Sequence, residues 1–292
     1  MPTTTNADPI MNVLEEVRGR MAEALADTVL RHLASDCKSL VASGKMLRSR
    51  LIFRVGPAAG VPHDTLVHAA AAVEMIHAAS LLHDDVIDGG YLRRGAPTFW
   101  VERGVPGAIL VGDLMLFKAL DIVSQVEDMR LTRALIQMTG EVCDAESEQE
   151  LLLRQQAPTW EKCLKIARRK TGALFAFAAC ACGGTDPERT AALQEAGYLI
   201  GTAYQLADDI LDARGTPEQS GKSHGSDRAR GKTTAATANP EQQHDPAHAV
   251  EQLCLDARAR LAAWPDVLAA WDDFIARDMQ PALFQNLQYN PS

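Results

Sequence analysis

Apolar residues recur at helical spacing along most of the chain and divide it into helices separated by polar breaks. Leu14, Val17, Met21, Leu25 and Thr28 share one stripe, which predicts an amphipathic helix over 9–34. Gly60-Val61-Pro62 interrupts the chain, and a long helix is expected from His63 to Val86 or Ile87, ended by Gly89-Gly90. Ala, Leu, Val, Met and Ile fill nearly all of this segment. It must therefore be buried on most sides, with Glu74, His77, Ser80 and His83 as its polar exceptions. Further helices are expected over 106–120, 131–153 and 160–182. Another runs from 186 to 212, where Asp186 is a good cap and Pro187 a good first helical residue. Two terminal helices, 247–263 and 265–286, close the chain.

Two of these helices deliver the same polar pattern. Asp84, Asp85 and Asp88 repeat their spacing in Asp208, Asp209 and Asp212, each triplet following an apolar helical run. At this spacing the first and last carboxylates project from one helix face, a turn apart, with the middle one beside them. Such a patch repels itself. One triplet alone reads equally as a solvated helix end or as a cation site. Two matched triplets read as two walls of one cavity filled by a hard cation, because oxygen-only ligands suit Mg²⁺. Mg²⁺ commonly completes its shell with substrate phosphate, so the implied ligand is a diphosphate.

Composition agrees with a helical, enzyme-sized protein. Hydrophobic residues make up 47% of the 292, enough for a substantial core, and the low aromatic share of 5% beside abundant Ala and Leu favours helices over sheets. The fold class expected is all-α. The net charge of −9 argues against a nucleic-acid partner. Cys37, Cys143, Cys163, Cys180, Cys182 and Cys254 form no C-x-x-C pair, which argues against structural zinc and fits a reduced, cytoplasmic setting. Residues 1–8 lack a signal-peptide pattern, and no apolar run is expected to approach the length that crosses a bilayer.

Cations flank the carboxylates. Lys45, Arg48 and Arg50 precede the apolar run 51–55, at a helix start where positive charge opposes the helix dipole. Alone, this segment reads as a solvated loop; a nearby anion would also remove the conflict. Arg93-Arg94 follow the first triplet and could pair with it or clamp phosphate oxygens. Lys170-Thr171 sits in an apolar context, so the lysine needs an anion or must reach the surface. Beyond the second triplet, 215–246 turns rich in Gly, Ser, Thr, His, Gln and Pro, and carries Lys222 and Lys232. A connection of that length is either functional or disordered.

The ordered set Gly44-Lys45-x-x-Arg48, Glu74-x-x-His77-x-x-Ser80-Leu81-x-His83-Asp84-Asp85-x-x-Asp88, Arg93-Arg94-Gly95-x-Pro97-Thr98, Gly112-Asp113, Lys170-Thr171, Tyr204-Gln205-x-x-Asp208-Asp209-x-x-Asp212 and Gly221-Lys222-x-x-Gly225-x-Asp227 resembles the trans-isoprenyl diphosphate synthase (polyprenyl synthetase) family over nearly the whole chain. The resemblance implies an isoprenoid-synthase helical bundle around a deep central cavity. It implies one domain over 1–292, with 215–246 as a lid, and a homodimer. By it, the six aspartates hold about three Mg²⁺ on the diphosphate of an allylic substrate. Arg93, Lys170 and Lys222 grip that diphosphate, with Thr171, Gln205 and Lys232 in its pocket. Lys45, Arg48, His77 and Arg94 bind isopentenyl diphosphate. The reaction lengthens a linear all-trans polyprenyl diphosphate, and the groups that act in it are Asp84, Asp85, Asp88, Asp208 and Asp209 with Arg93 and Lys170.

The pattern departs from the family at Ser49, where proline is usual, at Trp100, where histidine is usual, and at Thr234-Ala235 in place of Leu-Pro. Ala79 and Ser80, just before the first triplet, are small where large aromatics would floor the cavity. The product expected is therefore longer than farnesyl, medium to long in chain length, with geranylgeranyl second. A terpene cyclase would not need Lys45, Arg48 and Arg94 for a second diphosphate, and a regulatory subunit of a heteromeric synthase typically loses one triplet.

Overall fold

The computed structural model describes residues 9–33, 44–93, 95–214, 233–235, 237, 238 and 244–287. The described helices are α1 Ile10–Ala26, α2 Leu47–Val55, α3 His63–Ile87, α4 Phe99–Ser124, α5 Met129–Leu151, α6 Trp160–Ala167, α7 Ala173–Ala181, α8 Pro187–Arg214, α9 Pro246–Ala259, α10 Pro265–Phe274 and α11 Gln280–Leu287. One small antiparallel hairpin, Leu92–Arg93 with Ala96–Pro97, lies between α3 and α4, in a stretch expected to be loop. The all-α expectation is the fold found.

Helix α3 lies along α4 and also packs on α1, α2 and α7. Its burial corrects one expectation. At 25 residues it is long and apolar enough to cross a membrane, yet most of it is enclosed by neighbouring helices, as a core helix is. Helix α7 is the other central element: every residue from Ala173 to Ala181 is buried, and α8, α5 and α2 pack around it.

Several expected boundaries move, each for a local reason. The first helix stops at Ala26, not 34, because Thr28 turns its hydroxyl back to the Leu25 carbonyl at 2.6 Å and accepts the Leu30 N–H. A 3₁₀ turn, Val29–Leu33, follows. Helix α4 begins at Phe99 rather than 106, after Thr98, and continues to Ser124. It is interrupted at Gly104, whose φ of 75° only glycine adopts without strain. The expected 160–182 helix contains a π turn, Arg168–Gly172, between α6 and α7, and a second π turn, Ile275–Met279, divides the last helix.

Candidate active site

The first aspartate triplet sits on the last turn of α3, with Asp88 as its C-cap. Asp85 is buried, 7% exposed, while Asp84 and Asp88 are half-buried. Arg93 returns from the hairpin and clamps Asp85 with two prongs: Nε donates to Oδ1 and Oδ2 at 3.0 Å, and a terminal nitrogen donates to Oδ1 at 2.8 Å. The hairpin is itself pinned, because the Gly90 carbonyl accepts from Thr98 Oγ1 at 2.6 Å and from Trp100 Nε1 at 2.8 Å. Trp100 thus supplies a ring N–H, as a histidine could. One turn earlier, Ser80 Oγ donates to the His77 carbonyl at 2.9 Å, and both residues are half-buried. Ala79 has no exposed surface, so Ser80 is the better placed of the two to border open space.

The second triplet lies near the end of α8, where Asp209 is buried and Asp208 and Asp212 are half-buried. Here an amide relay reaches the buried carboxylate. Thr171 Oγ1 donates to Gln205 Oε1 at 2.6 Å, and Gln205 Nε2 donates to Asp209 Oδ1 at 2.8 Å. The relay needs the π turn and α8 to lie close together. A Cβ added at Gly197 would sit 2.5 Å from the Phe175 carbonyl oxygen, and one at Gly201 would sit 2.7 Å from the Gly172 Cα. Lys170, expected to need an anion, has one: it pairs with Glu146 of α5 and lies 3.4 Å from Gln149 Oε1.

Glu146 and Gln149 are site neighbours that the sequence reading missed. Their spacing of three on α5 puts them on one face, and that was the available signal. The cysteines nearest the triplets are Cys143, whose thiol pKa burial and the Asp84 charge raise, and Cys163, pushed up to about 12 by burial and then by Asp209. Neither is poised as a thiolate nucleophile.

The basic residues at the start of α2 and within it divide three ways. Lys45 is exposed. Arg50 and Arg54 share the buried carboxylate of Asp278, each at 2.9 Å, which supplies the anion that the position of Arg50 demanded. Arg48 is buried at 8% exposure, with its Cζ 4.8 Å from the centre of the Phe175 ring and its Nε shut away from water without a hydrogen-bond partner. Burial holds its guanidinium pKa below the usual value, against the raising influence of Glu74. Ser49 uses the N–H that proline would lack: its N–H and Oγ both donate to Glu74 Oε1, at 3.0 and 3.1 Å. Arg94, Lys222 and Lys232 lie outside the described residues, as does most of 215–246.

Among the described residues, no three His, Cys, Asp or Glu side chains converge on one ion-sized point. The donor chemistry nevertheless fits a hard divalent ion. Each wall offers oxygen donors only, one buried and two half-buried. Mg²⁺ keeps waters and phosphate oxygens in its shell, so it does not require a closed protein cage.

An all-α bundle with an aspartate triplet near the end of each of two helices, a lysine at a π turn and a buried arginine has the form of a helical isoprenoid synthase. The chain belongs to the polyprenyl synthetase family, whose sequence model matches residues 31–262. It is 34% identical over 248 residues to the geranylgeranyl diphosphate synthase of Methanosarcina mazei, covering 82% of this chain and 76% of that one. It is 33% identical over 195 residues to the octaprenyl diphosphate synthase of Haemophilus influenzae, covering 65% and 59%. Among solved structures, the polyprenyl synthase of Caulobacter crescentus, complexed with calcium and isoprenyl diphosphate, aligns at a TM-score of 0.70 with 27% identity over 94% of this chain and 93% of that one. The prenyltransferase class expected from the motifs is thus the class to which the chain belongs.

Proposed function

We propose that the protein is a Mg²⁺-dependent trans-prenyltransferase that condenses isopentenyl diphosphate with an allylic diphosphate and releases a linear product longer than farnesyl. The observation that carries this reading, over a cyclase, is Arg48. A buried guanidinium whose Nε has no partner is costly unless an anion arrives, and a cyclase needs no second diphosphate there. Lys45, His77 and Arg94 would complete that site. Both triplets are intact, which distinguishes the chain from a regulatory subunit.

Asp84, Asp85, Asp88, Asp208, Asp209 and Asp212 would hold the ions, about three by the family pattern, and bound Mg²⁺ would neutralise the departing diphosphate. Arg93 and Lys170 add positive charge from each wall, exchanging Asp85 and Glu146 for phosphate oxygens when substrate binds. Loss of the allylic diphosphate leaves a carbocation. The alkene of isopentenyl diphosphate supplies the electrons for the new carbon–carbon bond, and the released diphosphate takes the proton from the adjacent carbon, whose C–H electrons form the new double bond. Water must stay outside while the cation exists, and the 215–246 segment is suited to that covering role.

The homodimer is proposed from the family pattern and from apolar side chains exposed among the described residues. Ile109, Leu110 and Phe117 on α4 and Ile136 on α5 are all exposed, with Leu110 at 67% and Phe117 at 70%. A second copy would cover them. The cytoplasmic setting rests on the five described cysteines, all of them free.

The deciding experiment is product chromatography with the purified chain, Mg²⁺, isopentenyl diphosphate and farnesyl diphosphate as primer. A linear product longer than farnesyl is expected, medium to long chain before geranylgeranyl, and excess chelator abolishes it. Ala79→Phe or Ser80→Phe should shorten it by excluding the tail, Ser80→Phe more strongly because Ser80 is the more open position. A cyclic product, or no elongation by the chain alone, would overturn the proposal.

A further inference from the structure

We infer that Phe175 is a positioning residue for Arg48, its ring face fixing the plane in which the guanidinium meets the diphosphate of isopentenyl diphosphate. This rests on the proposed role of Arg48 and adds what holds that side chain in place.

The support comes from what Arg48 lacks. Its natural counter-charge, Glu74, spends Oε1 on the N–H and hydroxyl of Ser49. Arg48 Nε is buried without a hydrogen bond. The specific contact that orients the group is the cation–π approach of its Cζ, 4.8 Å above the centre of the Phe175 ring. A planar guanidinium over a ring loses rotational freedom but keeps its outward N–H donors for an oxyanion.

Phe175 is suited to act as a fixed platform. It is completely buried in α7, its ring contacts Tyr204 at 6.0 Å with the planes tilted by 48°, and its backbone lies against Gly197 of α8. The ring therefore cannot turn away when the arginine is engaged. The same helix follows the π turn that carries Lys170 and Thr171. One rigid segment thus sets cations for both proposed diphosphates.

The test is a double-mutant cycle between Arg48→Ala and Phe175→Leu, read as separate KM values for isopentenyl diphosphate and the allylic primer. Phe175→Leu should raise the isopentenyl diphosphate KM about tenfold, as expected for loss of a desolvated cation–π contact, with the allylic KM and kcat little changed. In the Arg48→Ala background it should have little further effect on that KM. Phe175→Tyr, which keeps the ring face, should restore most of the affinity. Phe175→Met gives a second loss of the ring if the leucine variant folds poorly. If Arg48→Ala leaves the isopentenyl diphosphate KM unchanged, the reading of Arg48 itself fails. If Arg48→Ala raises it but neither ring-free variant does, or both act equally on the two substrates, Phe175 has only a packing role and the inference is overturned.

Discussion

The buried aspartate at the end of α3 takes its partner from the adjoining hairpin, whereas the buried aspartate near the end of α8 accepts from an amide that a separate segment holds in place. Asp85 is clamped by Arg93, eight residues further along the chain, so the first site is largely local in sequence. Asp209 is held by Gln205, which is in turn fixed by Thr171 from a different helix. The second site therefore depends on how closely α8 approaches the π turn and α7. Sequence spacing alone can build the first arrangement, but tertiary packing has to build the second.

The largest effect should erase that difference. If both walls hold ions for one diphosphate, Asp84→Ala and Asp208→Ala should each lower kcat about 10³-fold or more, equivalent to about 4 kcal/mol of transition-state stabilisation. Circular dichroism should be unchanged, since both side chains are half-buried on helices held by their apolar faces. A tenfold or smaller loss at one wall, with the full loss at the other, would mean that only one triplet binds the ions.

This contrast also accounts for what was legible beforehand. The triplets, the Asp186-Pro187 helix start and the all-α class come from short-range periodicity and capping, so they read directly from the chain. The π turn at Arg168–Gly172 does not, because one extra residue in a helical turn leaves no mark on an apolar stripe. Yet that turn carries Lys170 and Thr171. Glu146 and Phe175 belong to no motif in the sequence, and only the fold brings them to Lys170 and Arg48. Gly104 hid the true start of α4, since a glycine before Val105-Pro106 reads as the end of a loop rather than a pause within a helix.

A middle-sized effect separates the two walls by stability. At Gly112, beside the first wall, an added Cβ would meet the imidazole of His83, a side chain that can rotate. At Gly197, behind the second, it would meet the Phe175 carbonyl oxygen at 2.5 Å and the Ala176 Cα at 2.6 Å, which are backbone atoms. Gly197→Ala should therefore cost about 3 kcal/mol or more, and Gly112→Ala about 1 kcal/mol. Urea unfolding midpoints at constant m would measure both. Equal losses would contradict the claim that the second wall depends on backbone approach.

The smallest effect concerns how each wall's helix begins. Helix α3 starts after Pro62 with no side-chain cap, and its first-turn acid, Asp64, is exposed. Helix α8 is capped by Asp186, whose Oδ1 accepts the N–H groups of Glu188 and Arg189 at 3.0 Å while Oδ2 accepts Trp264 Nε1 at 3.2 Å. The Arg189 N–H chiefly, aided by the Trp264 bond, holds the Asp186 carboxyl below its ordinary pKa. A carboxyl whose pKa is lowered by folding stabilises the fold above its unfolded value, about 3.9, and loses that contribution as pH falls through the folded value. Asp186→Ala should lower Tm by roughly 2 °C at pH 7. The gap between variant and wild type should narrow below about pH 4. Asp64→Ala should leave Tm unchanged at both pH values, because α3 is held by burial rather than by its first turn. A Tm gap for Asp186→Ala that persists undiminished in acid would assign the loss to packing against Trp264 instead of to the charged cap.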